Sequence, residues 1–235
     1  MQLLLLSNST LPGEPFLGWP RAHLEAFLGP GKRIAFVPFA AVTMGLDEYA
    51  GRVREVLGAM GHELIGLHAQ ADPVKALADA EAVMIGGGNT FQLLRMLYKH
   101  DLVRAIRARV VAGVPFVGWS AGSNVACPSI MTTNDMPITE PPSLRALDLV
   151  PFQINPHYTE ARLEGHGGET RDQRIEEFLA LNPRSVVAGL REGTLLRVEG
   201  ERLVVEGRGM RVFRRGREPR EFAGGAELRS SLADA

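Results

Sequence analysis

Pro115-Phe116-Val117-Gly118-Trp119-Ser120-Ala121-Gly122 is the stretch on which the reading of this chain turns. An apolar run enters it, and its last five residues spell G-x-S-x-G. Glycines two positions either side of a serine let the backbone turn sharply from strand into helix, which lifts the hydroxyl clear of a sheet. The N–H that follows the serine, here that of Ala121, then points at the oxygen on which charge develops during acyl transfer. A five-residue pattern with three fixed positions is often matched by chance. Its weight comes from its surroundings: a helix pattern before it, a β run into it and suitable partners downstream.

Working outward, short apolar runs alternate with helix-like segments through the first two-thirds of the chain. Strands are expected at residues 2–6, 33–38, 63–67, 82–85 and 115–119. The unbroken apolar character of Ala82-Val83-Met84-Ile85 fits a parallel strand covered on both faces. Between the strands, Asp47 is placed to cap a helix running to Met60 and stopped by Gly61. Asp72-Pro73 opens another, because proline is tolerated in a first helical turn. Leu93, Leu94 and Leu97, then Val103, Ile106 and Val110, recur at helical spacing. This alternation predicts an α/β fold with a doubly wound, mostly parallel sheet.

After residue 120 the character changes. Residues 127–170 are irregular and rich in Pro, Asn, Asp and Gly, with one strand expected at 152–155; so long an irregular stretch is usually functional. Thr170-Arg171-Asp172-Gln173 reads as a capping box opening a helix to Leu181. A strand follows at 185–190, and runs at 194–198, 203–206 and 210–213 suggest a small C-terminal antiparallel appendage. The expectation is one domain over residues 1–225, with the hairpins at 193–225 and a frayed tail at 226–235.

Bulk properties exclude some classes of function. Hydrophobic residues make up 45% of the 235 and charged residues 23%, ordinary values for a globular domain. A formal net charge of -1 gives no global field for nucleic acid or an anionic membrane surface, so neither is expected as a partner. Cys127 stands alone and has no internal disulfide partner, which suits a reducing cytoplasm. Met1-Gln2-Leu3-Leu4-Leu5-Leu6 lacks the basic start of a signal peptide and reads as a buried first strand. No apolar run approaches the roughly 20 residues that span a bilayer. No group of His, Cys, Asp or Glu has a metal-binding spacing, so no metal is expected.

A serine nucleophile needs a base, and histidine is the usual one. Of six histidines, His23, His62, His68 and His100 sit in or beside regular elements and read as surface or capping residues. His157 follows Phe152-Gln153-Ile154-Asn155-Pro156, so it is expected just past a strand's C-terminal end, where open α/β sheets build their sites. His166, in Gly165-His166-Gly167-Gly168, is the second choice. Two carboxylates qualify as the group that orients the imidazole. Glu192 comes directly after an apolar strand, and Asp135 lies inside the irregular segment; the alternatives are a solvated turn acid and a loop-stabilising Asx residue. Gly86-Gly87-Gly88-Asn89-Thr90 opens a helix without the pattern or lysine of a phosphate loop, and Gly88 N–H is better read as a second oxyanion donor beside Ala121 N–H. Arg171 sits unfavourably at a helix start, for which a substrate carboxylate would be a reason. The arginines at 208, 211, 214, 215, 217 and 220 read as a solvated hairpin rather than a binding surface.

Together these residues resemble peptidase E, the bacterial α-aspartyl dipeptidase family. The matching stretches are residues 3–10, Ile85-Gly86-Gly87-Gly88-Asn89-Thr90-Phe91-Gln92-Leu93-Leu94, Gly118-Trp119-Ser120-Ala121-Gly122, Thr132-Thr133-Asn134-Asp135-Met136-Pro137-Ile138, Gln153-Ile154-Asn155-Pro156-His157 and Gly168-Glu169-Thr170-Arg171. They occur in family order over about residues 1–195, with the C-terminal hairpins matched more loosely. The resemblance implies a glutamine-amidotransferase-like, flavodoxin-like fold and a cytoplasmic serine dipeptidase that needs no cofactor and frees aspartate from Asp-Xaa. It implies Ser120 as nucleophile and His157 as base, and it supports both Glu192 and Asp135 as the acid. Glu192 is favoured because it projects from a strand end beside the other two. Asn89 and Arg171 become the binders of the aspartyl carboxylate. The competing readings are a cyanophycinase-like hydrolase of β-aspartyl peptides and a non-catalytic nucleotide-binding flavodoxin-like module. Oligomeric state is not expected to be legible.

Overall fold

The structure is a computed structural model that describes residues 1–161 and 167–232. Its first sheet begins with β1 (Gln2–Leu6), whose four leucines are fully buried. Successive side chains of a strand point to opposite faces. Leu3 and Leu5 therefore enter one core, and Leu4 and Leu6 enter a second on the other side. β2 (Arg33–Val37), β3 (Glu63–Gly66), β4 (Ala82–Ile85) and β5 (Phe116–Trp119) run parallel to β1 in the spatial order β1-β5-β4-β2-β3.

Helices cover both faces. α1 (Arg21–Leu28) and α2 (Leu46–Gly58) bury Leu24, Leu28, Val53 and Leu57 in the core that holds Leu4 and Leu6. α3 (Pro73–Ala78), α4 (Thr90–Lys99), α5 (Leu102–Val111) and α6 (Ala121–Ala126) pack into the other. This is the expected doubly wound α/β architecture, and each of the five parallel strands lies within one residue of its sequence-based bounds at either end. Asp72 caps α3 by accepting from Lys75 N–H at 2.9 Å. Asp47 does not cap α2: Gly45 is the flanking residue, and Asp47 lies inside the first turn, where its charge still complements the helix dipole. α1 is not legible in the sequence, because only Leu24 and Leu28 of its eight residues are buried.

The second half of the chain builds a separate sheet. β6 (Gln153–Tyr158) and β7 (Val186–Arg191) run parallel and are joined through α7 (Arg171–Leu181). The capping box at the start of α7 is present, with Thr170 Oγ1 accepting from Gln173 N–H and the Gln173 side chain accepting from Thr170 N–H. The C-terminal antiparallel strands are divided between the two sheets. β8 (Thr194–Glu199) pairs antiparallel with β1, and β9 (Arg202–Gly207) extends the first sheet beyond it. β10 (Met210–Arg214) and β11 (Arg220–Phe222) instead add to β7 and complete the second sheet.

The expectation of a frayed tail from residue 226 is corrected over its described part. β12 (Glu227–Arg229) pairs with β9, and Leu232 is 1% exposed inside the main core. Burial of that one leucine and pairing with an otherwise open edge hold the segment. Leu232→Ala is expected to destabilise the fold by about 2 kcal/mol, the low end for a buried leucine because a chain end relaxes readily. Urea unfolding measures it, and an unchanged midpoint would mean that the tail adds nothing.

Candidate active site

Ser120 occupies the turn between β5 and α6 with φ 52° and ψ -113°, outside the regions where L-residues are at ease. Such strain costs on the order of 1–3 kcal/mol and persists only where the surroundings enforce it. Here the enforcement is close backbone packing. A Cβ at Gly118 would lie 2.5 Å from the Gly122 carbonyl oxygen, and one at Gly122 would lie 2.1 Å from that of Ile85. Neither position admits a side chain, so the G-x-S-x-G spacing follows from the packing of β5, α6 and β4.

His157 Nε2 lies 2.9 Å from Ser120 Oγ, and His157 Nδ1 lies 2.9 Å from Glu192 Oε1. An ionised carboxylate only accepts, so Nδ1 carries the proton and Nε2 is the acceptor that faces the serine hydroxyl. The three residues come from both sheets. Ser120 follows a strand of the first, His157 lies in a strand of the second, and Glu192 directly follows another strand of the second, so Ser120 and Glu192 follow strands of different sheets. His157 is also not past the end of its strand. It lies within β6, at the irregularity in pairing between Asn155 and Tyr158, with φ 54°. Glu192 occupies the turn by which the chain leaves β7 of the second sheet and enters β8 of the first. That crossing brings a carboxylate to the seam between the sheets.

Two residues with no role expected from sequence hold the seam together. Ser7 Oγ donates to the Leu190 carbonyl and accepts from His157 N–H, both at 2.9 Å. Asn8 Oδ1 accepts from Gly193 N–H at 2.8 Å. Ser7 is 0% exposed and Asn8 3%, so the end of β1 fixes the backbones of both His157 and the Glu192 turn. The only local signal for them is a polar pair, Ser7-Asn8, directly after four leucines.

Asp135 is engaged elsewhere. Its Oδ2 accepts from Thr90 N–H at 2.7 Å and from Thr90 Oγ1 at 2.6 Å. It thereby satisfies an N–H at the start of α4 that has no partner within the helix. Asn89 works beside it: Oδ1 caps Gln92 N–H at 3.0 Å and Nδ2 donates to the Met136 carbonyl at 2.9 Å. Together they pin the segment around Asp135 to the start of α4. Gly88 lines the pocket in front of Ser120, and a Cβ on neighbouring Gly87 would lie 3.1 Å from Ser120 Cβ, so this turn abuts the serine. Ala121 N–H opens α6 and is free of an intrahelical acceptor.

Arg171, the first residue of α7, donates from Nη1 to Asn134 Oδ1 at 2.7 Å. Asn134 also accepts from Asn155 Nδ2 at 2.8 Å and donates to the Pro156 carbonyl at 2.7 Å, so Arg171 is tied to the residues just before His157. Partial burial lowers the Arg171 pKa, with repulsion from Arg174 a smaller cause. Both reflect a cation held without a carboxylate partner among the described residues.

The remaining histidines behave structurally. His68 meets Asp47, His23 meets Glu206, His62 accepts from Lys32 N–H and His100 stacks on Phe39. His166 lies outside the described residues. Cys127 is buried, its thiol is pushed up to about 12 by burial, and it is inert as a nucleophile. Among the described residues no group of three or more His, Cys, Asp or Glu is placed to hold a metal, and no helix is long and apolar enough to cross a membrane.

The pocket in front of Ser120 has a volume of about 640 Å³ and is lined mainly by apolar side chains, with His157, Glu192 and Asn89 on its polar wall. That size is ordinary for a small-molecule site. The arrangement of hydroxyl, imidazole and carboxylate at one mouth suits acyl transfer.

Two solved proteins share the overall fold of this chain. The chain superposes on a peptidase from an acI-B1 actinobacterium with a TM-score of 0.73 at 16% identity, covering 97% of this chain and 96% of that one. A Listeria monocytogenes protein described as a putative peptidase E gives a TM-score of 0.66 at 19% identity, covering 88% and 98%. Sequence similarity is much stronger. Over 236 residues the chain is 50% identical to a Streptomyces coelicolor protein named peptidase E, covering 100% of this chain and 96% of the relative. Over 223 residues it is 49% identical to the peptidase E of a Nostoc species, covering 94% and 92%. The family model described as peptidase family S51 matches residues 3–205, a span that contains Ser120, His157 and Glu192 together with the Ser7-Asn8 pair that joins the sheets. On this match and on near-half identity along almost its whole length, the chain belongs to peptidase family S51.

Proposed function

We propose that this peptidase is a serine dipeptidase that hydrolyses Asp-Xaa and releases aspartate through an acyl-enzyme. The observation that carries the reading is the pair of 2.9 Å contacts from His157, one to Ser120 Oγ and one to Glu192 Oε1. Ser120 Oγ attacks the scissile carbonyl while its proton passes to His157 Nε2, and Glu192 stabilises the imidazolium that forms. The oxyanion is assigned to the N–H groups of Ala121, which follows the serine in the chain, and of Gly88, which lines the pocket in front of it. The imidazolium then protonates the departing amine, breaking the C–N bond, and water activated by the same imidazole releases aspartate from Ser120.

Selection for aspartate needs more than shape, because a methylene-sized difference discriminates by only about 1–3 kcal/mol. A guanidinium with donors to spare supplies more, and among the described residues Arg171 spends its side chain on neutral Asn134. Asn89, expected to share that carboxylate, instead lines the pocket in front of Ser120 and gives one Nδ2 hydrogen to the Met136 carbonyl, so the clamp is assigned to Arg171 alone. The test is direct: the purified protein hydrolyses Asp-Leu without added metal, keeps its rate in EDTA and leaves Leu-Leu intact. Faster turnover of β-Asp-Arg would favour a β-aspartyl hydrolase instead, and nucleotide binding without peptidase activity would favour a binding module. Arg171→Ala is expected to cut kcat/KM for Asp-Leu at least a hundredfold, as loss of a charge-assisted clamp of about 3 kcal/mol would. Unchanged selectivity between Asp-Leu and Leu-Leu would remove Arg171 from recognition.

A further inference from the structure

We infer that the pocket in front of Ser120 is the seat of the leaving residue and selects dipeptides whose second residue is large and apolar. This rests on the aspartyl-dipeptidase reading above and specifies the substrate within it.

The floor of the pocket is aromatic. Trp119 and Tyr49 are 1% and 7% exposed, and the Trp119 Nε1–H donates to Tyr49 Oη at 2.9 Å. That bond satisfies the polar ends of both residues within the floor and leaves an apolar surface above it. Phe16 stands edge-on to both, with ring centroids 6.4 Å away in each case. Val42 and Ile138, each 54% exposed, form the rim, and Met44 joins them. Half-exposed valine and isoleucine at a pocket mouth keep apolar surface in water that a bound side chain would cover.

Charge assigns the two sides of the substrate. No lysine or arginine is among the described residues that line this pocket, and its one carboxylate, Glu192, is engaged by His157. An aspartyl carboxylate placed here would lose hydration without gaining a cation. Arg171 is tied instead to Asn134, which is bonded to the Pro156 carbonyl, and it is absent from the pocket lining. The acyl half of the substrate therefore faces Arg171, and the half that departs faces Phe16, Tyr49 and Trp119. The same absence of cations means that the free carboxylate of the leaving residue stays at the open mouth, in water.

The experiment compares kcat/KM for Asp-Phe, Asp-Leu, Asp-Gly, Asp-Lys and Asp-Glu on the full chain. Asp-Phe and Asp-Leu are expected to exceed Asp-Gly by about tenfold to a hundredfold, the range a filled hydrophobic subsite gives, with Asp-Glu slowest. Val42→Glu sits on an exposed position that tolerates a charge. It is expected to raise the ratio of Asp-Lys to Asp-Phe by at least about tenfold, as a carboxylate on the rim replaces apolar cover. Phe16→Ala is expected to bring Asp-Phe down toward Asp-Gly. Similar kcat/KM across all five wild-type substrates, or a ratio unmoved by Val42→Glu, overturns this inference while the dipeptidase reading stands. Failure to cleave any Asp-Xaa overturns the dipeptidase reading itself, and cleavage of Leu-Xaa in its place would assign the apolar pocket to the first residue and reverse the two sides of the substrate.

Discussion

Ser120→Ala is expected to lower kcat on Asp-Leu by roughly 10⁴- to 10⁶-fold, the scale seen when a triad nucleophile is removed from a serine peptidase. The substitution takes away the oxygen positioned 2.9 Å from His157 Nε2 and changes nothing else in the elbow, since alanine takes the same backbone path. The protein should therefore fold, and its melting temperature should stay close to wild type. His157→Ala should cost a similar factor, and the double variant should be hardly worse than either alone. Losses of this kind do not add when nucleophile and base act as one unit. Single-turnover kinetics on freshly purified protein are the measurement. Activity within tenfold of wild type in either single variant would show that the hydroxyl or the imidazole takes no part in bond cleavage.

The second large effect separates the two carboxylates. Glu192→Gln keeps the size of the side chain but removes the charge that faces Nδ1–H, so the imidazolium formed during attack loses its stabilising partner. A fall in kcat of roughly 10³- to 10⁴-fold is expected, with KM little changed. Asp135→Asn should behave differently, because its Oδ2 receives the Thr90 N–H and hydroxyl at the start of α4. Loss of a charge-assisted acceptor there costs about 1–3 kcal/mol of stability. It also loosens the segment that Asn89 holds through the Met136 carbonyl, so KM should rise while most of kcat survives. Thermal unfolding and steady-state kinetics on the same two variants distinguish these outcomes. If Asp135→Asn abolished turnover in a folded protein and Glu192→Gln did not, Asp135 rather than Glu192 would be the triad acid.

Ser7 stands beside the catalytic candidates for a physical reason. A residue held at φ 54°, as His157 is, relaxes to a commoner conformation unless its backbone is anchored. The anchor is one hydroxyl, which bridges His157 N–H to the Leu190 carbonyl from the end of β1. Through that bridge and through Asn8, the first strand of one sheet sets the spacing of two residues carried by the other.

Local pattern is enough for much of this molecule. Continuous apolar runs such as residues 82–85 mark buried parallel strands, and G-x-S-x-G marks a strand-to-helix turn, because both signals lie within a few consecutive residues. Asp72 and Thr170 can be recognised as caps for the same reason. α1 escapes such a reading because two buried leucines in eight residues carry little periodicity. The tail escapes it because one buried leucine, Leu232, holds it at long range. What the chain determined by itself was thus the set of candidates and the order of its elements: Ser120, His157, two acids, a glycine turn and Arg171, set along alternating strands and helices. Tertiary structure alone decided that the late strands divide between two sheets, that the turn after β7 carries Glu192 to His157, and that Asp135 is spent on a helix end. Those outcomes depend on contacts between residues tens to well over a hundred positions apart, such as Ser7 with His157, and no periodicity in a sequence records which distant groups packing will bring within 3 Å.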